Sequence, residues 1–114
     1  MGMFINLFAE SVTTVTLEPT SKPYKWRIMH GSNIAGKVSI DPETHSIDIK
    51  VRSNTQGIGI GSKAYKIACE LSGFDKVYAT IRKSNISSIK AAIKAGFKQY
   101  DNPKSNQYNM VWSK

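Results

Sequence analysis

Apolar and polar residues alternate through most of the first 52 positions, and the period then lengthens to between three and four. SVTTVTLE (11–18) is β-branched and alternating, and YKWRIMH (24–30) sets Trp26 and Ile28 against Lys25 and Arg27. IAGKVSI (34–40) and SIDIKV (46–51) repeat the pattern, the second with Ile47, Ile49 and Val51 against Asp48 and Lys50. The segments between them are turn chemistry: GSN (31–33) is short and polar, and DPETH (41–45) holds Pro42 and a backbone-bonding Asp41. The pattern predicts an antiparallel meander of about four strands.

Beyond the glycines of TQGIGIGSKA (55–64) the pattern turns helical. Ile60, Ala64, Ile67, Ala68 and Leu71 share one face of a helix over about 60–72, and Gly73 ends it. KVYATIR (76–82) returns to strand. A second helix over about 85–95 carries Ile86, Ile89 and Ile93 on one face and stops at Gly96. FKQY (97–100) and QYNMVWS (107–113) close the chain as a hairpin around DNPKSN. No repeat, linker or low-complexity tract divides residues 1–114, so the expectation is one α+β domain.

Composition bounds this picture without deciding it. At 114 residues the chain is long enough for one core, and no apolar run approaches the roughly 20 residues that span a bilayer. MGMFINLFAE lacks a basic n-region, which argues against a secretory signal. The lone Cys69 excludes an internal disulfide and fits a reducing compartment, so a cytoplasmic location is expected. Of the net charge of +8, residues 1–52 hold six Lys/Arg against five Asp/Glu, and residues 53–114 hold ten against three. A basic second half suits an anionic ligand, although a merely soluble basic face reads the same way. No reader motif accompanies the charge, which argues against nucleic acid.

The glycines narrow the chemistry. A strand, a loop with Gly57, Gly59 and Gly61, and a helix starting at Ile60 leave unpaired N–H groups and a positive helix dipole facing an open backbone. Phosphate is the natural occupant of such a terminus, and three glycines exceed what a plain turn needs. A P-loop is excluded because Lys63 follows Ser62 rather than preceding it. A dinucleotide fingerprint fits in letters through Gly59, Gly61 and Ala64. It fails in context, because antiparallel strands come first and TIRKSN supplies no ribose-binding acid.

VRSNTQGIGIG (51–61) resembles the acyl-CoA-binding motif of the GNAT superfamily of N-acyltransferases, [RQ]-x-x-G-x-[GA], through Gln56, Gly59 and Gly61. NISSIKAAIKAGFK (85–98) is similar to a second family segment, N-x-x-[AS]-I…GF, through Asn85, Ser88, Ile89, Gly96 and Phe97. The resemblance covers about residues 34–112 and is loose before that. It implies a GNAT-like mixed sheet, mostly antiparallel, in which the parallel strands 46–51 and 76–82 splay apart around the co-substrate. The implied co-substrate is acetyl-CoA, its acetyl group passing to a primary amine by direct attack.

The resemblance also assigns roles. Backbone of Ile49 and Val51 would pair with the pantetheine arm, and an amide near Val51 would polarise the thioester carbonyl. Gln56, Gly57, Ile58, Gly59, Ile60, Gly61 and Ser62 would cradle the pyrophosphate. Asn85 and Ser88 would touch CoA, although Asn85 also reads as a plain N-cap. Asp48 is a candidate base or a solvated strand residue. His30 and His45 read as strand-end and turn residues, and Cys69 reads as core packing. No metal is expected, since no His/Cys/Asp cluster has ligand spacing.

The sequence departs from the family twice. Ala92 stands where the family's general-acid Tyr is found, which leaves Tyr65, Tyr78, Tyr100, Tyr108 or solvent to protonate the thiolate. EPTSKPY (18–24) leaves no room for the helices that usually wall the acceptor site between the first two strands. The acceptor side would then be open or completed by a partner chain, which leaves a homodimer open. A non-catalytic CoA-binding module of the same fold is the alternative reading.

Overall fold

A computed structural model describes residues 14–52, 59–101 and 105–114. Strands β1 (Val15–Pro19), β2 (Lys25–His30), β3 (Asn33–Ile40) and β4 (Ile47–Val51) form the antiparallel meander in chain order. Helix α1 (Ile60–Ser72), strand β5 (Lys76–Arg82), helix α2 (Ile86–Ala95) and strands β6 (Lys98–Asp101) and β7 (Gln107–Ser113) follow. The last three strands make a second antiparallel sheet, with β7 between β5 and β6. Residues 20–24 join β1 to β2 directly, with no helix between them. No helix among the described residues is long and apolar enough to cross a membrane.

The two sheets meet at one point. Ser46 and Tyr78 form a single parallel bridge, and the Tyr78 N–H donates to the His45 carbonyl at 2.9 Å. No other pairing joins β4 to β5 among the described residues, so the expected parallel pair is one bridge rather than a ladder. Phe74 locks this end. The His45 ring stacks on it at 3.8 Å and the Tyr24 ring stacks on it at 5.2 Å. His45 Nδ1 also lies 3.2 Å from the Lys76 carbonyl.

Alternation decides which face of the meander is buried. Ile28, Val38, Ile40 and Ile47 point to one side, where α1 packs across all four strands. Ala64 and Ala68 bring that helix close, and Tyr65 and Cys69 complete its buried stripe. Val77, Ala79 and Ile81 of β5, Met110 and Trp112 of β7, and Phe97 extend the core.

Three apolar residues expected on helix core faces lie elsewhere. Leu71 is 56% exposed, because the buried stripe of α1 runs through Tyr65, Cys69 and Ser72 instead. On α2, Ile86 and Ile93 are 60% and 57% exposed, while Ala92 and Ala95 face the core. Small side chains win there because the helix lies close to its neighbours.

Candidate functional site

A cleft of about 450 Å³ lies between the end of β4 and the two helices. Its walls are Ile49, Lys50 and Val51 of β4, Gly59, Gly61, Ser62 and Tyr65 around the start of α1, and Asn85, Ser88, Lys90 and Lys94 on α2. The cleft thus gathers seven positions named from sequence: Ile49, Val51, Gly59, Gly61, Ser62, Asn85 and Ser88. Gln56, Gly57 and Ile58 lie outside the described residues. The Ile60 side chain is buried in the core, so only its backbone is available to a ligand.

The start of α1 leaves open space beside its first-turn N–H groups. Gly59 adopts φ 82° at the N-cap, and among the described residues no side chain caps the first turn. The Ser62 hydroxyl turns back and donates to the Gly59 carbonyl at 3.0 Å, so it does not compete for the first-turn N–H groups. A Cβ at Gly59 would meet nothing within 4 Å, so the space beside it is open. Gly61 lines the cleft and also meets α2. A Cβ there would lie 3.3 Å from the Cβ of Ala91, so this glycine lets α1 and α2 approach. Lys50, Lys90 and Lys94 add positive charge to the walls.

Strand β4 presents backbone to the same space. The Arg52 N–H donates to the Ala35 carbonyl at 2.8 Å, which makes that a hydrogen-bonded pair. Alternation then puts Val51 opposite Gly36 and Ile49 opposite Val38 at non-bonded positions. The N–H and C=O groups of Ile49 and Val51 therefore point to the edge away from β3. Gly36 sets this geometry, since a Cβ there would fall 2.0 Å from the Lys50 carbonyl oxygen.

Asn85 serves the helix and the cleft together. Its Oδ1 accepts from the Ser88 N–H and from the Ser87 hydroxyl, each at 3.3 Å, which leaves its NH₂ as the donor for a ligand. Ser88 Oγ lies 2.8 Å from the Tyr65 hydroxyl. Of the four tyrosines considered as replacement acids, Tyr65 alone lines the cleft. Burial pushes its pKa above the ordinary 10.0; the Ser88 bond opposes the shift, and the charges of Asp48 and Cys69 add to it. The sequence listed Tyr65 among equals, because only the packing of α1 against α2 brings its hydroxyl to Ser88.

Asp48 and Ala92 fall outside the cleft lining. Asp48 alternates away from Ile49 and lines a separate depression of about 420 Å³ with Pro23, Lys25 and Ser39. Ala92 is 0% exposed, facing the core. Cys69 is also fully buried, and burial pushes its thiol up to about 12, so it packs and does not react at neutral pH.

Neither a protein-family model nor a curated protein matches the sequence. Solved structures do. The aminoglycoside acetyltransferase AAC(6')-Ib, seen with paromomycin and acetyl-CoA, superposes with a TM-score of 0.65 at 19% identity over 79% of this chain and 64% of its own. A GNAT-family acetyltransferase from Bacillus anthracis gives 0.66 at 14% identity, over 79% of this chain and 66% of its own. The IAA acetyltransferase from Bacillus cereus gives 0.69 at 15% identity, over 89% of this chain and all of its own. The chain spans a little under two thirds of the first two. It has the GNAT acetyltransferase fold.

Proposed function

We propose that the protein is an N-acetyltransferase that uses acetyl-CoA and a primary amine. One observation carries the reading: an uncapped helix start, an Asn85 amide and the outward backbone edge of β4 converge on one basic cleft. Amides of Gly59, Ile60, Gly61 and Ser62 would hold the pyrophosphate, with Lys90 and Lys94 balancing its charge. The backbone edge at Ile49 and Val51 would align the pantetheine arm and polarise the thioester carbonyl, which supports charge developing on that oxygen.

When bound, acetyl-CoA supplies a thioester whose carbonyl carbon accepts the amine nitrogen as the C–S bond breaks. Tyr65 would supply the proton that the leaving thiolate takes. Its raised pKa keeps the hydroxyl protonated, and Ser88 holds it in place. Asp48, facing the far side of β4, would receive the proton lost by the amine through water. The buried Ala92 favours a second reading, a CoA-binding module without turnover.

Release of free thiol from acetyl-CoA in the presence of an amine panel separates the two. Acetylation of any member above the solvent rate supports transfer. Tight CoA binding with no turnover across amino acids, peptides and polyamines would leave only the module.

A further inference from the structure

Among the described residues the helices cover only one face of the four-stranded sheet. On the other face the register lines up Glu18, Arg27, Lys37 and Lys50 in a row straight across the four strands. All four are exposed. Arg27 is satisfied, its Nη2 lying 2.8 Å from Glu18 Oε1. Lys37 and Lys50 have no ion-pair partner among the described residues, and they sit directly opposite one another. Like charges paired across strands cost stability, so the arrangement calls for an external anion. Lys25 lies in the neighbouring row, Lys25–Ser39–Asp48, and lines the depression with Asp48.

This face meets the cleft. Lys50 belongs to both, since it lines the cleft and shares a face with Asp48. An acceptor approaching from the helix-free side would arrive at the β4 edge where the thioester carbonyl is held. We infer that this face docks the acceptor, and that the acceptor is an acidic peptide segment carrying a primary amine. Its carboxylates would pair with Lys37, Lys50 and Lys25, and its ammonium would be oriented by Asp48. Lys37 and Lys50 stand on adjacent strands about 4.8 Å apart, with Lys25 in the neighbouring row, so together they can engage more than one carboxylate. Nucleic acid would match the charge but offers no aliphatic amine to acylate.

The inference rests on the acyl-transfer reading, and the test keeps the two apart. Fluorescence anisotropy of a labelled Glu-rich peptide with one lysine is measured on the full chain loaded with CoA. Comparison ligands are the same peptide with Gln for Glu, a lysine-rich peptide and a single-stranded oligonucleotide. The acidic peptide should bind at least tenfold more tightly than the other three, and Lys37→Glu should lose at least tenfold of that affinity. Lys37→Gln, a milder change at an exposed strand position, should lose several-fold. The melting shift with acetyl-CoA should persist in both variants, and its absence in the unaltered protein would instead count against CoA binding. Equal affinity for the acidic and neutral peptides, tighter binding of the oligonucleotide, or indifference to Lys37→Glu would overturn the inference.

Discussion

The two ends of the β4–β5 junction are made of opposite materials. At the closed end three rings stack on one another and a backbone hydrogen bond ties the strands. At the open end the strands part, and the gap is walled by two helix starts, glycine and lysine. Side-chain packing does the work where the strands touch, and exposed backbone takes over where they do not.

Removing the hydroxyl at the open end should have the largest effect. Tyr65→Phe keeps the ring in its packing against Phe97, 5.4 Å between centroids, and deletes only the proton donor. Turnover should fall by roughly 10²–10⁴-fold, the usual contribution of general acid catalysis, with CoA affinity unchanged. The pH profile gives a second readout. Because the Tyr65 pKa is raised above 10.0, the donor stays protonated below that pH, so its loss should not shape the rate near neutrality. A Phe variant of normal turnover would return the role to solvent or another residue.

Gly36→Ala attacks the strand edge itself. The added methyl would lie 2.0 Å from the Lys50 carbonyl oxygen, so β3 and β4 must separate. The cost should reach or exceed the roughly 1–3 kcal/mol typical of overpacking, read as a lower urea midpoint. CoA affinity should fall with it, because Ile49 and Val51 move. Wild-type stability in this variant would mean that the β4 edge is not held as described.

Phe74→Ala tests the closed end, with a smaller effect on the cleft. Phe74 is half-buried, so the loss should lie at or below the roughly 3–5 kcal/mol seen for fully buried Phe. CoA affinity should change little, since Phe74 does not line the cleft. Equal losses of stability and affinity would show that the two ends are one unit.

Local chemistry was legible in the sequence, and non-local chemistry was not. Helix limits followed from the 3.6-residue period and from Asn85, Gly73 and Gly96, which act within a few residues of themselves. Seven cleft residues were named because their motifs lie on contiguous elements. The exposure of Ile86 and Ile93 depends instead on how closely α2 approaches the core. The packing of Gly61 against Ala91 depends on how α1 meets α2, which the local motif does not encode. Ala92 stands at the family's tyrosine position, and its full burial, which the sequence does not reveal, would make a tyrosine there an overpacking change. Asp48 lies on β4 as expected, and its position in a separate depression with Lys25 and Ser39 follows only once the helices have chosen the opposite face.

Thermal melting with acetyl-CoA tests the central claim, that the start of α1 holds a pyrophosphate. At about 100 times its dissociation constant a ligand specific to the folded state stabilises it by roughly 2.7 kcal/mol, or several degrees for a domain of this size. Gly59→Asp and Gly59→Asn form a matched pair, since both residues tolerate the φ of 82° and only one brings a charge. The account predicts a shift in the wild type, a shift in Gly59→Asn, and none in Gly59→Asp. No shift in the wild type at millimolar acetyl-CoA, or an undiminished shift in Gly59→Asp, would contradict it.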